Sequence, residues 1–125
     1  MIFVATLGSF RKQRRHLPKN DARYLWTNHA IRKMAFYRLS QGRIRRVLRN
    51  PARIEEGVAP GTVAAMQTDG SGAKSREIWV MYQEVGKKRR IITAWRYPGK
   101  SPIRKKIPIP QDIVEELERE GIIGE

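Results

Sequence analysis

The sequence predicts an α+β domain: two N-terminal helices packed on a four-stranded antiparallel sheet, followed by an acidic C-terminal helix. Three observations predict it. Apolar residues recur at helical spacing from Thr27 to Leu39 and again from Ser40 to Arg49. From Arg53 onward, short runs rich in β-branched and aromatic residues alternate with Gly- and Pro-containing turns. A run of helices followed by a run of strands buries its apolar faces by layering one on the other. At 125 residues and 40% hydrophobic content, the chain holds one small core rather than several domains.

In chain order, residues 1–25 read as a basic arm: Ile2–Thr6 has strand composition, and Arg11–Asp21 is a cationic, proline-broken segment. Residues 26–98 read as the α+β domain. Thr27 or Asn28 caps the first helix, with Ala30, Ile31, Met34, Ala35, Tyr37 and Leu39 on one arc and His29, Arg32, Lys33 and Phe36 on the other. Ser40 caps the second, in which Ile44, Val47 and Leu48 form a narrow apolar stripe among Arg43, Arg45, Arg46 and Arg49. Asn50-Pro51 ends it. Strands are expected at Arg53–Glu56, Thr62–Thr68, Glu77–Val85 and Arg89–Tyr97, joined by tight turns as a meander. On the last strand, strict alternation puts Arg90, Ile92, Ala94 and Arg96 on one face and Ile91, Thr93, Trp95 and Tyr97 on the other. Residues 99–125 read as a Pro/Lys-rich linker and an acidic helix opened by Pro110 and closed by Gly121.

The charge is one-sided. The net is +14, and 17 of the 26 cations are arginine, whose planar fork suits phosphate and base stacking. Residues 1–54 carry fourteen Lys and Arg against one acid, Asp21, whereas the last fifteen residues carry six acids and one base. A generic solvated surface would mix the signs, so this half points to a polyanionic partner, RNA or another nucleic acid. The absence of Cys excludes disulfides, thiolate metal sites and cysteine nucleophiles. Two histidines and scattered carboxylates leave little for a metal cage, so neither metal nor cofactor is expected. Met1–Phe10 is too short to span a bilayer, and a cytoplasmic, non-membrane protein is expected.

Among candidate sites, Gly70–Ser75 has the look of a phosphate loop, but it lacks a Gly before Lys74 and leads into a strand, so it reads as a hairpin turn. His29, at the start of the first helix, either serves as a base beside a phosphate or simply packs there. Arg38 falls inside the apolar arc and must either snorkel past the helix end or aim into a cleft. Trp79, Tyr82, Trp95 and Tyr97 fill the core or stack bases. Arg32, Lys33, Arg43, Arg45, Arg46, Arg49, Lys88 and Arg90 are the expected nucleic-acid contacts, joined by the arm at Arg11–Arg15. The acidic helix at 111–123 is expected to dock on the chain's own basic surface and compete with nucleic acid.

Trp26-Thr-Asn-His-Ala-Ile-Arg-Lys-Met34, Tyr37-Arg38-Leu39-Ser40, Ile44, Val47-Leu48-Arg-Asn-Pro51, Ile78–Tyr82 and Ile91–Tyr97 together resemble the domain-of-unknown-function 4258 family. The likeness covers residues 26–98. Tyr37-Arg38-Leu39-Ser40 departs from the Glu-Arg-Gly-Ile common in that family. The resemblance implies a RelE-like fold of the barnase–colicin superfamily, many of whose members are metal-independent ribonuclease toxins paired with protein antitoxins. By position it implies His29, Arg38 and Arg96 as the catalytic set of a metal-independent endoribonuclease. In such an enzyme His29 is expected as base or acid, Arg38, Arg96 and Lys33 on the phosphate, and Tyr82 or Tyr97 stacking or donating a proton. The alternative is a non-catalytic nucleic-acid-binding module.

Overall fold

The computed structural model describes residues 19–103 and 105–123. The strand-like Ile2–Thr6 and most of the basic arm lie outside them. The chain is an α+β protein with a five-stranded mixed sheet in the order β1-β5-β4-β3-β2. Strands β2 (Arg53–Glu56), β3 (Thr62–Asp69), β4 (Arg76–Val85) and β5 (Lys88–Pro98) form the expected antiparallel meander. The fully antiparallel four-stranded sheet is corrected by β1 (Tyr24–Trp26), which runs parallel to β5 with Trp26 opposite Ile91. Three residues are too few for alternation to show. Local chemistry forms this strand instead: the Asp21 carboxylate accepts from the amides of Arg23 (2.8 Å) and Tyr24 (2.9 Å), and Asn20 Oδ1 from that of Trp26 (2.8 Å).

Helix α1 (Asn28–Tyr37) begins at Thr27, whose hydroxyl accepts from the Ala30 amide and donates to the carbonyls of Ile91 and Ile92, each at 3.0 Å. It ends at Arg38, whose backbone is left-handed (φ 58, ψ 48). That conformation costs a non-glycine residue roughly 1–2 kcal/mol. It is held by the Leu39 amide donating to the Met34 carbonyl (2.8 Å) and by Arg96, whose Nε donates to the Tyr37 carbonyl (2.9 Å). The reversal also explains why Arg38 is exposed rather than in the apolar arc. The helical wheel stops at Tyr37, so Arg38 turns outward and Leu39 turns in. Helix α2 (Gln41–Arg49) is capped by the Ser40 hydroxyl and buries Ile44, Val47 and Leu48.

Both sheet faces are covered. Helices α1 and α2 pack with β1 on one face, over Ala65, Ile78, Val80, Ile91 and Ala94. Helix α3 (Gln111–Arg119) covers the other face, where Ile113 and Leu117 lie on Met81, Ile92 and the stacked pair Trp79–Trp95, centroids 5.9 Å apart. The acidic helix is thus a third layer rather than an appendage, and packing continues past both ends of 26–98. Strict alternation fails on β5 at a bulge. Met81 pairs with Thr93 but Tyr82 with Ile91, so Ile92 is the extra residue. Ile91 then shares a face with Ala94, and Ile92 with Trp95.

A buried carboxylate ties the chain after β5 to the sheet. Glu77, 3% exposed, accepts from Trp79 Nε1 (2.9 Å), the Ser101 amide (3.0 Å) and the Ser101 hydroxyl (2.7 Å), with Arg53 3.8 Å away. Removing the carboxylate leaves those donors and the Arg53 charge unpaired. Glu77→Ala is expected to lower unfolding free energy by about 3 kcal/mol in urea titrations, as for other broken buried pairs. A loss under about 0.5 kcal/mol, the size of an ordinary surface change, would show that the network holds nothing.

Candidate nucleic-acid interface

The α1–α2 turn and helix α2 lie where β3 ends, β4 begins and β5 ends, and this junction gathers arginines. Arg43 donates to Gln67 Oε1, and Gln67 Nε2 donates to the Arg46 (3.2 Å) and Asn50 (2.8 Å) carbonyls, so one side chain on β3 fixes both ends of α2. Arg96 spans from the end of α1 to Asp69, at 3.0 Å, and Arg76 approaches the same carboxylate at 3.7 Å. Burial first, then the charges of Arg46 and Arg96, hold the Arg43 guanidinium below the usual arginine range, with Asp69 opposing. Beyond Arg43, the stripe continues along α2 through the exposed Arg46 and Arg49. Arg45 meets Asp21 at 2.9 Å and lies over the rings of Tyr24 and Trp26. The Arg45 guanidinium, with two backbone amides, lowers the Asp21 carboxyl to about 2. Among the described residues, Arg38, Arg46 and Arg49 have no ion-pair partner.

The expected catalytic set divides. Arg38 and Arg96 lie at the C-terminal end of α1, while His29 lies about 13 Å back along the helix by its rise. His29 is 1% exposed, bonded through Nε2 to Thr93 Oγ1 at 3.0 Å. Its Nδ1 faces Glu120 (3.5 Å) and Glu116 (3.8 Å) of α3. The three groups therefore do not surround one phosphate. Arg32 and Lys33 are drawn the same way: Arg32 pairs with Glu120, and Lys33 with Glu116 at 2.8 Å. The acidic helix does dock on the chain's own cations, and they are these two. Lys88 and Arg90 are half-buried at the start of β5, on the far side of α1 from Arg96. Trp79 and Trp95 are fully buried and Tyr82 is 5% exposed beneath Arg89, so these three offer no free face, while Tyr97 is half-buried against the α3 layer.

Sequence reasoning missed Gln67, Asp69 and Arg76. Their signal lies in the hairpin register, Asp69 opposite Arg76, which an unaligned turn does not reveal. A cleft of about 680 Å³ between β2 and Lys105–Ile109 holds none of these residues. Among the described residues, no three His, Asp or Glu side chains gather as a metal site requires, and no helix is long and apolar enough to cross a membrane. In comparisons with known proteins, no family model, no curated protein and no solved structure matches the chain.

Burial is the main cause that keeps the His29 imidazole below its ordinary 6.5, outweighing the two carboxylates, so it is neutral at pH 7. The unfolded chain takes up that proton near 6.5 and the folded chain only at lower pH. Stability is therefore full above 6.5 and declines as pH falls below it. Glu116, held low chiefly by Lys33, adds its own loss only below 4.5. Urea titrations between pH 6.5 and 4.5 are expected to show declining stability in the parent and a flatter profile in His29→Gln. Parallel profiles would refute this assignment.

Proposed function

We propose that the chain binds RNA through the arginine face of the α1–α2 turn and helix α2. One observation carries the reading: at this junction Arg45 meets Asp21, and Arg76 and Arg96 share Asp69, while Arg38, Arg46 and Arg49 have no ion-pair partner among the described residues, leaving a surplus of guanidinium groups without counter-charge. Each such group gains by displacing counterions from a phosphate backbone, and arginine presents two parallel donors to each phosphate. The resemblance of residues 26–98 to the domain-of-unknown-function 4258 family supports the same reading, since ribonucleases of the RelE-like superfamily take RNA as substrate.

The geometry favours a clamp over a catalyst built on His29, because both imidazole nitrogens face protein. Metal-independent cleavage is the second reading, and the placement of Asp69 favours it: a lone carboxylate among arginines at the proposed phosphate grip, where a proton acceptor is needed. Labelled RNA incubated with the protein in chelator is expected to stay intact. Fragments that disappear in Asp69→Asn would establish the second reading.

The test of binding is its salt dependence. Anisotropy titrations against an RNA oligonucleotide are expected to weaken steeply with salt, and Arg46→Ala and Arg49→Ala each to reduce the log–log slope by about one. Arg119→Ala, on α3, serves as the control. Binding indifferent to salt, or an Arg38/Arg46/Arg49 triple alanine variant that binds as the parent does, would remove the proposal.

A further inference from the structure

We infer that the chain dimerises by pairing strand β2 with β2 of a second copy, antiparallel about a two-fold axis at Ile54. Strand β2 ends the sheet, so one side of it is bonded to β3 and the other carries no strand. The Gly57 amide donates to the Thr62 carbonyl (2.9 Å), which fixes the alternation. Gly57, Glu55 and Arg53 turn their backbone groups to β3, and Ile54 and Glu56 turn theirs outward. Among the described residues nothing bonds those outward groups. Such an edge is a template for another strand, and its side chains decide which strand it accepts. On this one Ile54 stands 60% exposed between charged neighbours.

The order of those charges selects a copy of the same strand as partner. The strand reads Arg53-Ile54-Glu55-Glu56. An axis at Arg53, Glu55 or Glu56 sets that residue against its own copy, and like charges directly opposite are destabilising. An axis at Ile54 sets isoleucine against isoleucine and puts Arg53 opposite the partner's Glu55, twice over. Arg53 already meets Glu55 at 3.1 Å within one chain, so the four groups alternate in sign across the interface. With two acids and one base, β2 is also a place where two copies of a chain of net charge +14 approach with little repulsion, and where a polyanion does not settle. Beside Glu55–Val58 the cleft towards Lys105–Ile109 lies open, and the partner's uncharged Ala52 and Pro51 come opposite Glu56 and Gly57 there. Directly opposed residues share a face, so the pairing joins the two sheets into one with both α1–α2 layers on the same side. A contact built on so short a strand belongs to the small, reversible class.

Sedimentation equilibrium of the full-length protein, freed of nucleic acid and carried to millimolar concentration, is expected to show the mass rising from 14.5 kDa towards twice that value. Ile54→Lys and Glu55→Arg are each expected to raise the dissociation constant by about tenfold or more. Ile54→Pro removes the outward amide while leaving the ladder to β3, so it should do the same with an unchanged circular dichroism spectrum. Crosslinking reads the register separately, since the chain has no cysteine of its own. Ile54→Cys is expected to give a disulfide-linked dimer in oxidised glutathione, because bonded antiparallel pairs lie about 5.5 Å apart at Cα. Copies of Glu55→Cys lie more than about 7 Å apart in this register and should stay unlinked. A single 14.5 kDa species throughout, a dimer that Ile54→Lys and Ile54→Pro leave intact, or crosslinking of Glu55→Cys ahead of Ile54→Cys would overturn the inference.

Discussion

The fold depends on the fastening of α1 along β5. The ten residue steps from Thr27 to Tyr37 rise about 15 Å. The five steps along β5 from Ile91 to Arg96 span about 17 Å. The two lengths agree, and side chains lock them at three places: the Thr27 hydroxyl on the Ile91 and Ile92 carbonyls, His29 on Thr93, and Arg96 on the Tyr37 carbonyl. A helix held at both ends by one strand cannot slide or tilt. It also screens the part of β5 that the short β1 does not reach. Tyr37 accordingly packs against both hydrophobic clusters.

The bulge at Ile92 follows from this arrangement. Below it β5 pairs with β1, and above it β5 faces α1. The extra residue resets which side chains point where, which puts Thr93 beneath His29 and Trp95 onto Trp79. Arg96 then falls on the face that α1 and α2 cover, where it closes the end of α1 and reaches Asp69. An arginine that resembles a catalytic residue in sequence therefore also stabilises a left-handed turn with no glycine in it.

The elements with strong local signals were legible in the sequence. The Thr27 and Ser40 caps, the stop at Asn50-Pro51, the meander from Arg53 to Tyr97 and the final helix between Pro110 and Gly121 all stand where propensity and turn chemistry put them. Strand β1 was not legible, because three residues show no period and its partner is more than sixty residues away. For His29 the sequence left packing and catalysis open, and neighbours from β5 and α3, not from its own helix, decide for packing. The excess of arginine was plain from composition. Which arginines remain unpaired depends on where Glu116, Glu120, Asp21 and Asp69 come to rest, and only the tertiary structure fixes that.

The carboxylates of α3 meet Arg32 and Lys33 on one flank of α1, while the α2 arginines lie on the opposite face of the sheet with few counter-charges. Among the described residues the charge is therefore lopsided, not merely cationic. In the field of a polyanion such a body feels a torque as well as a pull, so it rotates its arginine side forward before contact. Neutralising α3 would leave every arginine in place and increase the total positive charge. It would nonetheless blunt that alignment, so that a more highly charged protein would arrive facing the wrong way more often.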